Sequence, residues 1–434
     1  MLKILLDRIR TRQAKVGVIG LGYVGLPLAV SFAKKGFSVT GIDISRGKIK
    51  KLTEGRSYIL DVVSSDLKAV TARKFFKATD DYKSVASLDA VIICVPTPLS
   101  KTKEPDISFV IEATQRIAGH LKKGQLIVLE STTYPGTTEE VMLPILRKSG
   151  LLPEKDFFLA FSPERVDPGN KAYDIVSIPK VVGGAGRNST KAASFLYGAI
   201  MKNVVPVSSA RTAEMVKLLE NTFRSVNIGL INEIAVMCHR LGVDIWEVIE
   251  AAKTKPFGFM PFYPGPGIGG HCLPIDPLYL SWKSRLHGFE AKMIELASTI
   301  NESMPEYVVE RVTALLNKKQ VPLKKAPVLV LGVSYKKNID DLRESPALEV
   351  LRHLVEKGSK IAYSDPWIPS VEIGEIHLKS QKLTPGFVRK QACVVVLTDH
   401  AAFDNKMIVR NARLILDTRN AMRGFAPKGN LFFL

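Results

Sequence analysis

One segment near the N terminus constrains the fold more than any other. The apolar run VGVIG at residues 16–20 leads into GLGYVG at 20–25, a helix-favouring stretch to about Lys35, Gly36, and a second apolar run, FSVTGID, at 37–43. Strand, glycine turn, helix and strand in that order open a doubly wound α/β sheet that binds a dinucleotide. Gly20 permits the tight turn, Gly22 lets the backbone approach a pyrophosphate, and Gly25 lets the helix pack closely, with Tyr23 and Val24 between them. Asp43, at the end of the second strand, is placed to accept hydrogen bonds from a ribose 2′-OH. A carboxylate there repels a 2′-phosphate, so NAD is expected rather than NADP, with Arg46 nearby as the contrary feature. A glycine-rich turn that binds nothing is the alternative.

The α/β alternation continues. LDAVIICVP at 88–96 and LIVLE at 126–130 read as buried parallel strands ending in polar loops. Ligands in open α/β sheets sit at the carboxyl ends of strands, which directs attention to Thr97 and to Ser131, Thr132 and Thr133. Residues 210–253 carry no proline and read as one long helical region interrupted near Gly242. The next stretch, 255–277, is too rich in glycine and proline for regular structure, and a long loop in a compact protein is usually functional. A second α/β pattern starts near Pro322, with strands at 328–333, 360–363 and 392–397 and a helix over 346–356. It lacks the glycine fingerprint, which suits a ligand other than a dinucleotide. The expected fold is α/β: two Rossmann-like doubly wound parallel-sheet domains joined by a long central helix, with domains at 1–208, 209–320 and 321–434.

Four places carry residues suited to chemistry. Cys272 follows GIGGH at 267–271, beside His271 and four residues before Asp276, as a nucleophile with proton-transfer groups at hand would. Cys94, Cys238 and Cys393 lie in apolar strand or helix contexts and read as structural thiols. Lys217 and Asn221 share one helix face, where a cation and an amide suit a developing oxyanion, although such a pair equally fits a solvated face. Ser162-Pro163-Glu164-Arg165 puts a carboxylate at the end of the FFLAF strand. Lys336 and Arg343 lie between a strand and a helix N terminus, a reasonable phosphate site. Ordinary loop polarity is the alternative for these last two segments.

Composition excludes some function classes and leaves others open. The 434 residues include 61 Lys and Arg against 42 Asp and Glu, a net charge of +19. Such a charge suits polyanionic partners, but it is dispersed and accompanies no nucleic-acid module. No apolar run is long enough to span a membrane. The amphipathic, basic N terminus has neither the apolar core nor the cleavage site of a secretory signal. Four scattered cysteines argue against disulfides or structural zinc and for a reduced, cytoplasmic setting.

Taken together, GLGYVGLP at 20–27, SPER at 162–165, PGPGIGGHCLPIDP at 264–277, LSWK at 280–283 and DDLRES at 340–345 resemble the UDP-sugar 6-dehydrogenase family over nearly the whole chain. The form of these motifs is most similar to the branch that oxidises UDP-N-acetylglucosamine. The resemblance implies a four-electron oxidation of the sugar C6 alcohol to a carboxylate with two NAD+, through a Cys272 thiohemiacetal and thioester. It implies that Lys217 and Asn221 stabilise the charged oxygen on C6. Asp276 handles water with Thr132, and Glu164 is the base for thioester hydrolysis. Glu164, Arg165, Lys217, Asn221, Gly269, Lys336 and Arg343 contact the UDP-sugar in this reading. Gly20, Gly22, Tyr23, Val24, Gly25, Asp43, Thr97 and Thr132 contact NAD, and a homodimer packs through the central helix. UDP-glucose enzymes carry a second Glu where this chain has Pro168 beside Asp167, and a Lys where it has Ile275. Both departures suit a bulkier C2 substituent. UDP-N-acetylmannosamine, UDP-N-acetylgalactosamine and UDP-glucose are the alternative substrates, and a non-enzymatic basic protein that binds nucleotides or nucleic acid is a distant one.

Overall fold

The computed structural model describes residues 1–59, 61–100, 103–165, 176–270, 272–425 and 429–434; His271, Asp167 and Pro168 lie outside the described residues. The chain divides into two compact units, residues 1–220 with 282–289 and residues 221–281 with 290–434.

The first unit is built on strands β1 (Lys15–Ile19), β2 (Ser38–Ile42), β3 (Phe76–Thr79), β4 (Ala90–Ile93), β5 (Leu126–Leu129), β6 (Phe158–Phe161), β7 (Lys180–Gly184) and β8 (Val204–Pro206). They form one sheet in the order β3-β2-β1-β4-β5-β6-β7-β8. Strands β1 to β6 run parallel, as the apolar runs at 88–96 and 126–130 suggested for β4 and β5. The last two depart from that expectation: β7 is antiparallel to β6, and β8 follows β7 in parallel. A parallel neighbour for β6 needs a crossover, and no helix lies between these strands among the described residues.

Alternate residues of each strand feed two separate cores. Val16, Val18, Ile92 and Val128 pack with the helices Gly25–Lys34 and Arg187–Gly198 on one face. Ile19, Val91, Ile93 and Leu129 pack with the helix Ser108–Ala118 on the other. Covering both faces removes the strands from water, where each buried Val, Leu or Ile contributes about 1.5–3 kcal/mol. The N-terminal helix Leu2–Arg10 buries Leu5 and Ile9 in the first of these cores.

The helical region foreseen at 210–253 is a helix Ala210–Leu241 and a shorter helix Ile245–Ala252. They are separated by Gly242, whose φ of 70° the helix cannot continue through. Asp244 caps the second helix by accepting from the Trp246 amide at 2.9 Å. The glycine- and proline-rich stretch ends earlier than expected, because a helix Asp276–Arg285 begins inside it. Pro277 is tolerated there, since the first turn has no use for its missing N–H.

The second unit contains β9 (Pro327–Leu331), β10 (Lys360–Ser364), β11 (Ser370–Ile373), β12 (Ile376–Lys379), β13 (Cys393–Val396), β14 (Ile415–Asp417) and β15 (Leu431–Phe433). Five form a parallel sheet, β10-β9-β13-β14-β15, and β11 pairs with β12 as a separate hairpin. The helix Pro346–Glu356 falls where the sequence placed it. Among the described residues no helix is long and apolar enough to cross a membrane.

The two sheets repeat one device at their switch points. β1 lies between β2 and β4, and β9 between β10 and β13. Gly20 follows β1 with φ 88°, and Gly332 follows β9 with φ 77°. A Cβ on either would stand 2.4 Å from a carbonyl oxygen, that of Cys94 or of Thr398. Asp43 after β2 accepts from the Leu21 amide at 2.8 Å, and Asp365 after β10 accepts from the Val333 amide at 2.8 Å. Each carboxylate thus braces the glycine turn beside it.

Candidate active site

In the first unit the glycine turn is shaped for a dinucleotide. A Cβ at Gly25 would stand 1.9 Å from the Gly20 carbonyl oxygen, so helix and turn meet only because that side chain is absent. At Gly22 a Cβ would meet nothing within 4 Å, which leaves the backbone open to a pyrophosphate. Tyr23 is exposed and Val24 half-buried beside it. Asp43 is buried, and besides Leu21 it accepts from the Ser45 amide at 2.9 Å and from Lys48 Nζ at 3.2 Å. Arg46, the feature that favoured a 2′-phosphate, is turned to Asp80 at 3.3 Å. Thr97 is buried after β4. Ser131 Oγ donates to the Val95 carbonyl at 2.7 Å and ties the loops after β4 and β5 together. Thr132 is half-buried, and the Thr133 hydroxyl next to it is buried with no hydrogen-bond partner among the described residues. These residues fit NAD.

Glu164 lies over a buried ion pair that the sequence did not reveal. Lys180 Nζ, in β7, bonds Glu130 and the Pro163 carbonyl (3.1 Å) and stands 3.8 Å from Glu164. Tyr197 donates its hydroxyl to the other Glu130 oxygen at 2.7 Å. Burial pushes the Glu130 carboxyl up, and Lys180 opposes that. Burial also works against a charged Lys180, but Glu130 and Glu164 outweigh it and hold its ammonium protonated. The signal was present: an apolar strand, LIVL, that ends on an acid inside a core needs a cation. Arg165 grips Glu220 of the long helix with Nη2 at 2.6 Å and Nε at 3.2 Å, and donates to the Pro179 carbonyl at 2.7 Å. Lys217 and Asn221 are both buried on their shared face, which removes the solvated-face alternative.

In the second unit Cys272 is the exposed cysteine, while Cys238 and Cys393 are buried and Cys94 is half-buried. Burial pushes the Cys94 thiol far above its ordinary range and the Cys393 thiol up to about 12. The Cys272 carbonyl accepts the Ile275 amide at 3.1 Å and the Asp276 amide at 2.8 Å, so the thiol sits on the turn that starts the helix Asp276–Arg285. Asp276 is buried and accepts from Asn221 Nδ2. Cysteine, carboxylate and amide are thereby linked within a few bonds.

The glycine-rich loop before Cys272 is fixed by buried amides. Gly265 N–H donates to Asn232 Oδ1 at 3.0 Å, Asn232 Nδ2 to Asn301 Oδ1 at 2.9 Å, and Asn301 Nδ2 to the Ser225 carbonyl at 3.2 Å. A Cβ on Gly269 would stand 2.6 Å from Tyr335 Cβ, and Gly270 N–H donates to the Arg343 carbonyl at 3.0 Å. At these two positions the missing side chains therefore accommodate the segment after β9.

That segment carries Lys336, half-buried, and Arg343, exposed with its guanidinium on Asp341 at 2.6 Å. Beneath them lies a second polar group that the sequence did not single out. The Asn338 amide donates to His400 Nδ1 at 2.9 Å, so Nε2 carries the ring proton and faces Asp365 Oδ2 at 3.0 Å. Asp365 also receives the Val333, Ser334, Trp367 and Ile368 amides, which fill a carboxylate's acceptor positions. The acid that suits a ribose in the first sheet is thus consumed by protein in the second.

Three consecutive domains of the UDP-glucose/GDP-mannose dehydrogenase family match the chain: the NAD binding domain at 14–201, the central domain at 211–303 and the UDP binding domain at 329–424. A UDP-N-acetyl-D-glucosamine 6-dehydrogenase of Pseudomonas aeruginosa is 39% identical over 359 residues, covering 82% of this chain and 84% of that protein. A UDP-N-acetyl-D-mannosamine dehydrogenase of Pyrococcus horikoshii is 36% identical over 424 residues, covering 96% and 98%. The solved structure of the Pyrococcus horikoshii UDP-D-ManNAc dehydrogenase superposes with a TM-score of 0.88 at 34% identity, over 96% of this chain and 98% of that one. Cap5O of Staphylococcus aureus, a UDP-N-acetyl-mannosamine dehydrogenase, superposes with a TM-score of 0.83 at 32% identity, over 97% and 98%.

Proposed function

Because the chain belongs to the UDP-glucose/GDP-mannose dehydrogenase family and is an NAD-dependent UDP-sugar dehydrogenase, we propose that it oxidises C6 of UDP-N-acetylglucosamine to the carboxylate through covalent catalysis at Cys272. The observation that carries this reading is the exposed Cys272 thiol, one turn from a buried Asp276 that Asn221 holds. Identity to the Pseudomonas aeruginosa enzyme supports the choice of sugar. Likeness to the Pyrococcus horikoshii enzyme over nearly the full length favours UDP-N-acetylmannosamine as the second reading.

NAD+, held by the Gly20–Gly25 turn, Asp43, Thr97 and Thr132, supplies the acceptor for each of two hydrides. Lys217 and Asn221 donate to the C6 oxygen as it gains negative charge. Loss of the first hydride and of the hydroxyl proton, the latter to water, gives the aldehyde. Cys272 Sγ adds to its carbon while the thiol proton passes to the C6 oxygen, and the thiohemiacetal that forms makes this carbon a hydride donor once more. Loss of the second hydride, and of the hydroxyl proton, leaves a thioester. Water activated by Glu164, with Asp276 and Thr132 orienting it, attacks the thioester carbon; the C–S bond breaks, the carboxylate is released and Sγ regains a proton. Lys336 and Arg343 pair with the diphosphate, with Arg165 and Gly269 lining the UDP-sugar site. In this reading residues 1–208 carry NAD, 209–320 the catalytic loop and 321–434 the UDP moiety.

We also propose a homodimer through the long helix. Leu219, Phe223, Leu230, Met237 and Leu241 lie 4, 7, 7 and 4 residues apart, a single apolar stripe, and all are exposed. A second copy of the chain supplies the matching stripe.

The test is a panel of UDP-sugars with NADH counted per sugar consumed. Two NADH per UDP-N-acetylglucosamine, with the highest kcat/KM in the panel, is the expected result. A preference for UDP-glucose refutes the assignment.

A further inference from the structure

The loop that carries Thr132 is held by a carboxylate from another element. It begins after β5 and runs through Tyr134, Pro135 and Gly136 into a π-helical turn, Thr137–Met142, that continues as the helix Leu143–Arg147. Gly136 stands at the N-cap of this turn with φ 103° and has no side chain with which to cap it. Glu214 of the long helix supplies the cap instead. Its Oε2 accepts the Gly136 N–H at 2.5 Å, and its Oε1 accepts the Thr138 N–H at 2.9 Å and the Thr138 hydroxyl at 2.6 Å. Glu214, Gly136 and Thr138 are all buried. Lys217 stands one turn further along the same helix.

We propose that Glu214 is a positioning residue for the oxidation: its ionised carboxylate locks the Thr132 loop in register with Lys217. The proposal rests on the roles given above to Thr132 and Lys217. Three donors occupy three of the carboxylate's four acceptor positions, so a proton on Oε1 breaks a bond, and a proton at the remaining Oε2 position leaves a neutral acid that accepts all three more weakly. Burial pushes the Glu214 carboxyl up to about 7, with the three hydrogen bonds opposing that rise. The charged and titratable groups around it are Tyr134, Glu139 and Glu140 from the loop, Arg211 and Lys217 from its own helix, and Lys283. Arg211 lies 3.4 Å from Glu139 and 3.1 Å from Glu140, and Lys283 lies 2.6 Å from Glu140. These pairs leave Glu214 to titrate chiefly through its own burial. The locked state therefore forms as pH rises through neutrality and is lost as it falls.

The experiment follows the full-length protein, wild type and Glu214→Gln, between pH 5.5 and 9 by NADH formation and by amide exchange of residues 131–142. Wild type gains kcat and loop protection together as pH rises through about 7. Glu214→Gln cannot ionise and sets an amide N–H against a donor. Its loop protection and kcat are reduced about tenfold or more at pH 8, as expected for two or three lost hydrogen bonds, its KM for NAD+ moves far less, and its acid limb is gone. An unchanged limb and unchanged protection in folded Glu214→Gln overturn the proposal. If that variant does not fold, Thr138→Val decides: loss of one donor shifts the limb to higher pH, and an unmoved limb refutes the role. If no UDP-sugar yields NADH, the functional reading fails, and loop exchange in wild type still tests the lock. Protection that does not change across neutrality overturns it.

Discussion

Replacing Lys180 by Met should expose how much of the first unit depends on one buried cation. The ammonium is nearly inaccessible and bonds Glu130 and the Pro163 carbonyl, 3.1 Å away. It lies 3.8 Å from Glu164 and 5.2 Å from the Tyr197 ring centroid. At an effective dielectric of about 20, the 3.8 Å contact alone corresponds to roughly 4 kcal/mol before desolvation. Breaking a buried pair from one side costs about 3–5 kcal/mol, because the remaining charge is stranded. Met keeps the bulk, so the loss is chiefly electrostatic. Glu130 limits the loss by taking a proton, and the sign follows from that. Its folded pKa, already raised by burial, rises further without Lys180 and lies above the unfolded value. The folded variant then binds the extra proton, so its stability is greatest below the unfolded pKa and falls as pH rises toward the folded one. The penalty should be small at acidic pH, where Glu130 takes the proton, and grow as pH rises toward the about 3–5 kcal/mol expected for a stranded charge. Amide exchange in β5 and β7 measures this locally and needs no two-state transition for the whole chain. Glu130→Gln together with Lys180→Met should recover about 2 kcal/mol or more, since neutral Gln still accepts from Tyr197. A penalty under about 1 kcal/mol at pH 8, or a double variant as unstable as the single one, would show that the pair is not charged as argued.

Other outcomes follow from single contacts. Cys272→Ala should lower kcat by about a thousandfold or more, the loss of roughly 4 kcal/mol of barrier lowering; NADH counting checks it, and two NADH per sugar in that variant would end the covalent route. Gly25→Ala places a Cβ 1.9 Å from the Gly20 carbonyl, and a shift of the turn by that overlap should weaken cofactor binding at least about tenfold, read by titrating the fluorescence of NADH. Leu230→Arg with Met237→Arg puts two charges in the apolar stripe, and light scattering should then give a mass near the 47.8 kDa of one chain; a wild type already of that mass would remove the dimer.

Much of this protein is determined by local sequence. Gly20, Gly22, Gly25 and Asp43 act within one strand–turn–helix–strand unit, so their spacing suffices to predict them. The buried strands, the break at Gly242 and the Pro346–Glu356 helix follow equally from short-range pattern. The β11–β12 hairpin was also local, an alternating VEI and IHL around Gly374, but too brief to stand out. What the sequence could not decide are relations between residues far apart in the chain. Lys180 meets Glu130 across fifty positions, Glu214 meets Gly136 and Thr138 across nearly eighty, and His400 after β13 meets Asp365 after β10 with β9 between their strands. Buried charge is favourable only when a partner arrives, and no periodicity announces which partner that will be. The same holds for Lys217 and Asn221, whose spacing fits a wet surface and a dry site alike until tertiary packing takes both out of water. Local rules chose the elements; desolvation, which exists only once those elements meet, chose which side chains hold the site.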